Sequence, residues 1–190
     1  LRTMYLCYNE PLVESMSNKS QQGLEVFNFH KLCKYFCDKA NIPWNPPSIN
    51  STQKKKDDFY NKTSLSLLQE ASLKIEEERW DVIIIDEAQD FREEWLIVIE
   101  ELLKDRKESY MYAFIDPFQD IFNRTQTLEE VFKLRPLQLD KNCRNTKEIA
   151  LFSYGCIDKE PIMHEHSPTG NEVQLIKYKD GKDQISIINK

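Results

Sequence analysis

The chain has 190 residues, a length that suits one domain with the start of another. Of these residues, 40% are hydrophobic and 31% are charged, which is an ordinary composition for a soluble globular protein. The formal net charge of −6 argues against a dedicated nucleic-acid-binding module, because such modules are usually basic. It does not exclude a motor that holds a single strand in a local groove. No apolar run approaches the roughly 20 residues that a membrane span needs, so we expect no membrane partner.

The five cysteines are odd in number and irregularly spaced, which favours free thiols in a reducing compartment, and we expect a cytoplasmic protein. Cys33 and Cys37 stand four apart and could form a pair of metal ligands on one helical face, but no second pair with zinc-like spacing follows. His164-Glu165-His166 is too compact for the usual helical site, so no metal is expected at either cluster. The chain begins at Leu1 without an initiator Met or a signal segment, and we expect it to be cut from a longer protein.

The first third of the chain alternates between short strands and helices. Asn9-Glu10-Pro11 predicts a helix start, because proline is well placed in a first turn. Residues 41–63 are rich in Pro, Asn, Ser and charge, which indicates a loop or small insertion. The other predicted elements are strands at 3–8 and 24–28 and helices at 29–40 and 64–78.

The clearest pattern is the β-branched run Val82-Ile83-Ile84-Ile85, which predicts a strand buried on both faces, as in a parallel sheet covered by helices. A helix with Trp95 on its apolar side follows. Further predicted elements are strands at 110–115 and 173–178 and a helix at 146–157. This alternation predicts an α/β fold with a mainly parallel sheet and flanking helices.

Two of the predicted strands end in carboxylates, Asp86-Glu87 after one and Asp116 after the other. Open α/β sheets bind ligands at the carboxyl ends of their strands. Mg²⁺ takes one or two protein carboxylates plus phosphate oxygens, and a neighbouring carboxylate can orient or deprotonate an attacking water. The alternative is that Asp86 and Glu87 merely cap the next helix, whose N-terminus favours negative charge.

Five segments resemble, in order, the motifs of one family, the UvrD/Rep-type superfamily 1 DNA helicases. Residues 81–91, Asp-Val-Ile-Ile-Ile-Asp-Glu-Ala-Gln-Asp-Phe, closely resemble its motif II, in which Asp-Glu-x-Gln-Asp is distinctive. The other resemblances are residues 5–9 to motif Ia, 26–30 to motif Ib, 112–122 to motif III and 139–146 to motif IV.

This resemblance implies a RecA-like P-loop NTPase fold, with residues 1–157 as part of the first motor domain, 158–170 as a linker and 171–190 as the start of the second. It implies an ATP-dependent helicase or translocase that couples ATP hydrolysis to movement on single-stranded or partly duplex DNA. ATP and Mg²⁺ would be the cofactors, and a nuclease domain or subunit a further partner. The other hypothesis is a non-catalytic helicase-like scaffold or nuclease-partner module. DNA repair and phage defence are both open as pathways.

The resemblance also assigns roles to side chains. Asp86 would hold Mg²⁺ through water, and Glu87 would activate the hydrolytic water. Gln119 would sense the γ-phosphate. Arg144 would contact the same phosphate through its guanidinium group, which is always charged and presents several N–H donors. The alternatives are a turn-capping amide for Gln119 and a surface ion pair near Asp140 for Arg144. Three further residues are expected to connect motif II and the nucleotide with neighbouring parts of the protein: Gln89, Asp90 and Asp116.

Nucleic-acid contacts would come from Asn9, His30 and Phe122. Bases of any sequence can stack on an aromatic face such as that of Phe122. The alternatives are a core aromatic for Phe122 and a polar helix-start residue for His30.

The chain departs from the family pattern at several motifs. It contains no Gly-Lys-Thr or Gly-Lys-Ser, so motif I, the phosphate-binding loop, is expected to be missing. The central strand that precedes this loop, which would lie next to the strand at 110–115, is then missing as well. Motifs V and VI are also absent. We therefore expect the 190 residues alone neither to bind ATP tightly nor to hydrolyse it.

Two smaller departures concern stacking. Cys143 stands where a tyrosine is usual, which weakens stacking on adenine. Asn123-Arg124 replaces an aromatic found in many relatives, so one base-stacking platform is lost and unwinding would be feebler than translocation.

Overall fold

The computed structural model describes residues 1–18, 23–116, 137, 139, 141–181 and 184–185. These residues belong to two compact units, Leu1–Arg135 and Pro136–Lys190. The predicted division into a partial motor domain, a linker and the start of a second domain stays a prediction.

Strands and helices alternate along the first unit. Its strands are β1 (Thr3–Leu6), β2 (Leu24–Phe27), β3 (Val82–Ile85) and β4 (Tyr110–Ala113). Its helices are α1 (Glu10–Ser17), α2 (Phe29–Lys39), α3 (Gln53–Asp58), α4 (Ser64–Lys74) and α5 (Glu93–Glu100). The start of α2 has a clear local cause, because the Asn28 side chain accepts a hydrogen bond from the backbone N–H of Lys31.

The four strands form one sheet in the order β2-β1-β3-β4, and every neighbouring pair is parallel. Their register is even: Leu6 lies beside Phe27 on one side and Ile85 on the other, and Ile85 lies beside Ala113. All four strands therefore end at the same edge of the sheet. The predicted α/β class, with a mainly parallel sheet and flanking helices, is confirmed. Among the described residues, β4 pairs with β3 alone.

One face of the sheet carries the core. Met4 and Leu6 of β1 and Ile83 and Ile85 of β3 are completely buried and pack with apolar residues of the helices. The alternate residues of β3, Val82 and Ile84, are only half-buried. The prediction of a strand buried on both faces is therefore wrong, because the described helices cover the second face only in part.

The segment at 41–63 is a loop only in its first part. Helix α3 continues through a π-helical turn (Phe59–Thr63) into α4, whereas residues 42–48 lack regular structure. Phe59 is buried and packs edge-on against Trp44, with ring centroids 5.0 Å apart. Residues 53–63 are thus helical, so the prediction of a loop is wrong for them, while the alternative of a small insertion stays a prediction.

The second unit contains a small parallel pair of strands, β5 (Lys141–Asn142) and β6 (Ile162–Met163), and helix α6 (Lys147–Gly155). Thr146 caps α6 by accepting a hydrogen bond from the N–H of Ile149. The strand predicted at 173–178 is wrong, since these residues lack regular structure. Its apolar side chains, Leu175 and Ile176, are exposed, and no described strand pairs with the segment.

Within the described ranges, every helix is too short or too polar to span a lipid bilayer. All five cysteines are free thiols, three of them buried and two exposed.

The buried face of β3 generates a stability prediction. Ile83→Ala removes a fully buried side chain and leaves a cavity, so the free energy of unfolding should fall by about 2–5 kcal/mol. The matched change Ile97→Ala removes a side chain that is 38% exposed and should cost less than about 1 kcal/mol. Urea titration followed by tryptophan fluorescence measures this, because all three tryptophans lie in the first unit. Equal costs for the two variants would contradict the assignment of the core face.

Candidate functional site

The carboxyl edge of the sheet brings together most of the predicted motif II residues. The backbone N–H of Asp86 donates to the carbonyl of Leu6 at 2.8 Å, which extends the pairing of β3 with β1 by one residue. Side chains alternate between the faces of a strand, so Asp86 lies on the same face as Ile84 and, through the register, Tyr5. The sheet thus places this carboxylate at the edge where ligand sites of open α/β sheets lie.

Within the described part of the chain, two hydrogen bonds hold the carboxylate of Asp86. The Tyr5 hydroxyl donates to Oδ2 at 2.7 Å, and the backbone N–H of Glu87 donates to Oδ1 at 3.2 Å. Burial, followed by the hydrogen bond to Asp86, raises the pKa of Tyr5 above its ordinary value. Tyr5 was not among the predicted site residues. The signal that could have revealed it is the pairing of β1 with β3, which no short sequence motif contains.

Glu87 has an unusual backbone conformation for its residue type. Its φ of 51° and ψ of 49° lie in the left-handed region, which costs a residue with a Cβ atom on the order of 1 kcal/mol or more. The conformation reverses the chain directly after β3 and starts a short 3₁₀ turn (Ala88–Asp90), in which the N–H of Asp90 donates to the carbonyl of Glu87 at 2.9 Å. Strained backbone positions of this kind cluster at functional sites, so the conformation marks Glu87 as a candidate functional residue.

Gln89 connects the ends of two strands. Its side chain is 2% exposed, and its Nε2 donates to Oε2 of Glu87 at 2.6 Å, while its Oε1 accepts from the backbone N–H of Asp116 at 3.2 Å. A second hydrogen bond joins the same two segments of the chain: the N–H of Ala88 donates to the carbonyl of Phe114 at 2.8 Å. The site therefore unites Asp86, Glu87, Gln89, Asp90 and Asp116.

The predicted nucleic-acid residues have different environments. Asn9 is exposed at the start of α1, and its side chain makes no capping hydrogen bond. His30 is half-buried: its Nε2 lies 2.9 Å from the carbonyl oxygen of Tyr60, and its ring contacts those of Tyr60 and Trp95 edge-on. The imidazole thus joins the π-helical turn to α5, a contact that the sequence did not predict. Phe122 lies outside the described residues, as does Gln119.

Arg144 belongs to the second unit. It is exposed in the bend between β5 and α6, where the N–H of Asn145 donates to Oδ1 of Asn142 at 3.1 Å. Asp140, its suggested ion-pair partner, lies outside the described residues. Its assignment to the γ-phosphate stays a prediction.

Comparison of the chain with protein-family models gave no match, and comparison with curated proteins gave none either.

The environment of His30 predicts a pH dependence of stability. Burial lowers its pKa below the ordinary value of about 6.5, although the hydrogen bond to Tyr60 opposes this shift. As pH falls through about 6.5, the unfolded chain therefore binds more protons than the folded chain does. The free energy of unfolding should then be lower at acidic pH than at neutral pH. Urea titrations between about pH 7.5 and 5.5 should show this decrease in the wild type.

His30 is the sole histidine of the first unit, which makes the controls simple. His30→Phe should remove the decrease, while His166→Phe, at an exposed position of the second unit, should leave it intact. A decrease that persists in His30→Phe would show that other groups cause it.

The buried amide of Gln89 predicts a second effect. Gln89→Leu keeps a similar volume but loses the hydrogen bonds to Glu87 and Asp116, so the free energy of unfolding should fall by about 1–3 kcal/mol, and amide hydrogen exchange at Asp116 should accelerate. The exposed residue Gln69 offers a matched control, and Gln69→Leu should change neither quantity. Unaltered exchange at Asp116 in Gln89→Leu would contradict the bridging role.

Proposed function

We propose that this chain is part of an ATP-dependent DNA helicase or translocase of the UvrD/Rep type and contributes the carboxylates that act on the nucleotide. The observation that carries the proposal is the arrangement at the end of β3. There Asp86 and Glu87 follow the strand directly, and the Gln89 amide joins Glu87 to the end of β4. The parallel four-stranded sheet is compatible with a RecA-like fold, in which a phosphate-loop strand would pair beside β4.

The residues at this edge fit a hydrated magnesium ion. Among the described residues there is no group of three or more metal-binding side chains, so a cage built only of protein ligands is not formed there. Mg²⁺ usually retains several waters and takes one or two carboxylates together with phosphate oxygens, which one aspartate such as Asp86 can satisfy. When bound, Mg²⁺ would neutralise charge that develops on the phosphates of ATP.

Glu87 is the proposed general base. Its carboxylate projects from the turn after β3, and one of its oxygens is held by Nε2 of Gln89. Since a carboxylate oxygen has two lone pairs and the other oxygen is not bonded to Gln89, Glu87 retains the capacity to orient and deprotonate a water. Gln89 and Asp116 would then transmit a change at Glu87 to β4 through their hydrogen bond.

The remaining assignments rest on the motif resemblance. Gln119 would sense the γ-phosphate, and Arg144 would stabilise the charge of the transition state. Asn9 and Phe122 would contact single-stranded DNA. His30 is assigned there too, although its imidazole nitrogen already hydrogen-bonds within the protein, which favours a role in shaping the surface.

The proposal is tested by Glu87→Gln in the full-length protein. Removing the general base should reduce DNA-stimulated ATP turnover roughly a hundredfold or more, while the affinity for ATP stays within about twofold. Glu77→Gln, an exposed carboxylate before β3, should leave both quantities unchanged. Turnover is measured by phosphate release and affinity by equilibrium binding of a fluorescent ATP analogue.

A wild-type protein that binds no ATP and releases no phosphate would overturn the proposal and favour the helicase-like scaffold. Normal turnover in Glu87→Gln would instead remove Glu87 from the role of base.

A further inference from the structure

We infer that Tyr5 is a positioning residue for Asp86: its hydroxyl orients the carboxylate that would hold magnesium. This inference rests on the proposed function, since it concerns the same site. None of the motif assignments gives Tyr5 such a role.

The placement of Tyr5 follows from the sheet. Tyr5 lies beside Ile84 in the parallel pairing of β1 with β3, and Asp86 is two residues further along β3 on the same face. A tyrosine ring is long enough to reach this diagonal neighbour, and its hydroxyl is 2.7 Å from Oδ2 of Asp86. Because β1 is bonded on both sides, by β2 and by β3, the donor stands on a rigid part of the fold.

The carboxylate needs such a constraint. Rotation of an aspartate carboxylate about its last torsion is broad and is not confined by staggered wells. A single bond from the N–H of Glu87 to Oδ1 leaves that rotation loosely defined, whereas a second bond to Oδ2 defines the plane of the group. Each oxygen has two lone pairs, so neither of these two bonds fills the capacity of its oxygen to accept from a water of the metal ion. Tyr5 thus orients Asp86 without occupying its capacity to accept hydrogen bonds.

The experiment uses the full-length protein and compares Tyr5→Phe with Tyr112→Phe. Both changes remove one hydroxyl from the same face of the sheet, because Tyr112 also lies beside Ile84, but Tyr112 is 54% exposed. Binding of a fluorescent ADP analogue is measured against Mg²⁺ concentration and again in excess chelator. Thermal unfolding followed by tryptophan fluorescence reports whether each variant is folded.

In Tyr5→Phe we expect the Mg²⁺ concentration for half-maximal binding to rise on the order of tenfold, as expected for a lost hydrogen bond to a charged group. Metal-free binding and the melting temperature should stay close to those of Tyr112→Phe. A purely structural role of Tyr5 would instead lower the melting temperature and leave the Mg²⁺ requirement unchanged.

A third variant, Asp86→Asn, separates the two proposals. If the wild type shows no Mg²⁺-dependent binding, or if Asp86→Asn retains it, the proposed function fails and the role of Tyr5 fails with it. If the wild type and Asp86→Asn behave as proposed but Tyr5→Phe and Tyr112→Phe require the same Mg²⁺ concentration, the role of Tyr5 alone is overturned.

Discussion

The parallel register of β1 with β3 is the constraint on which the candidate site depends. It places Leu6 beside Ile85, so that Asp86, the next residue, bonds to β1 and comes within reach of Tyr5. A slip of one residue would move every side chain of β1 to the opposite face of the sheet. The slip would expose Met4 and Leu6 and would also take the hydroxyl away from the carboxylate. Burial of the core and assembly of the site therefore depend on the same pairing.

Charged groups at the opposite end of β1 support this register. The N–H of Arg2 donates to Oδ2 of Asp81 at 2.7 Å, and the N–H of Asp81 donates to the carbonyl of Arg2 at 2.9 Å. The Arg2 guanidinium also pairs with Glu25 and Glu78 and lies 4.5 Å from the centre of the Trp80 ring. Partly buried ion pairs add little net stability, but a misaligned strand would leave these charges without partners. The observed register therefore provides each of these charges with a partner.

Sequence patterns predicted the features that depend on neighbouring residues. The run at Val82–Ile85 indicated a strand, and the string that follows it identified Asp86, Glu87 and Gln89 as one cluster, since all three lie on a single turn. The prediction was wrong where distant segments decide the outcome. Phe59, which follows helix α3, packs against Trp44 from another segment, and the burial of the second face of β3 depends on what covers it. Tyr5 was missed for the same reason, because it is separated from Asp86 by 81 positions.

The left-handed backbone at Glu87 places two requirements in competition at one position. Glycine and asparagine adopt this conformation at lower cost than glutamate does, so either would make the turn after β3 easier to form. Neither has a carboxylate. Exchanging Glu87 for glycine would therefore relieve the backbone but take this acceptor away from the buried Gln89 amide, and under the proposed function it would also remove the general base.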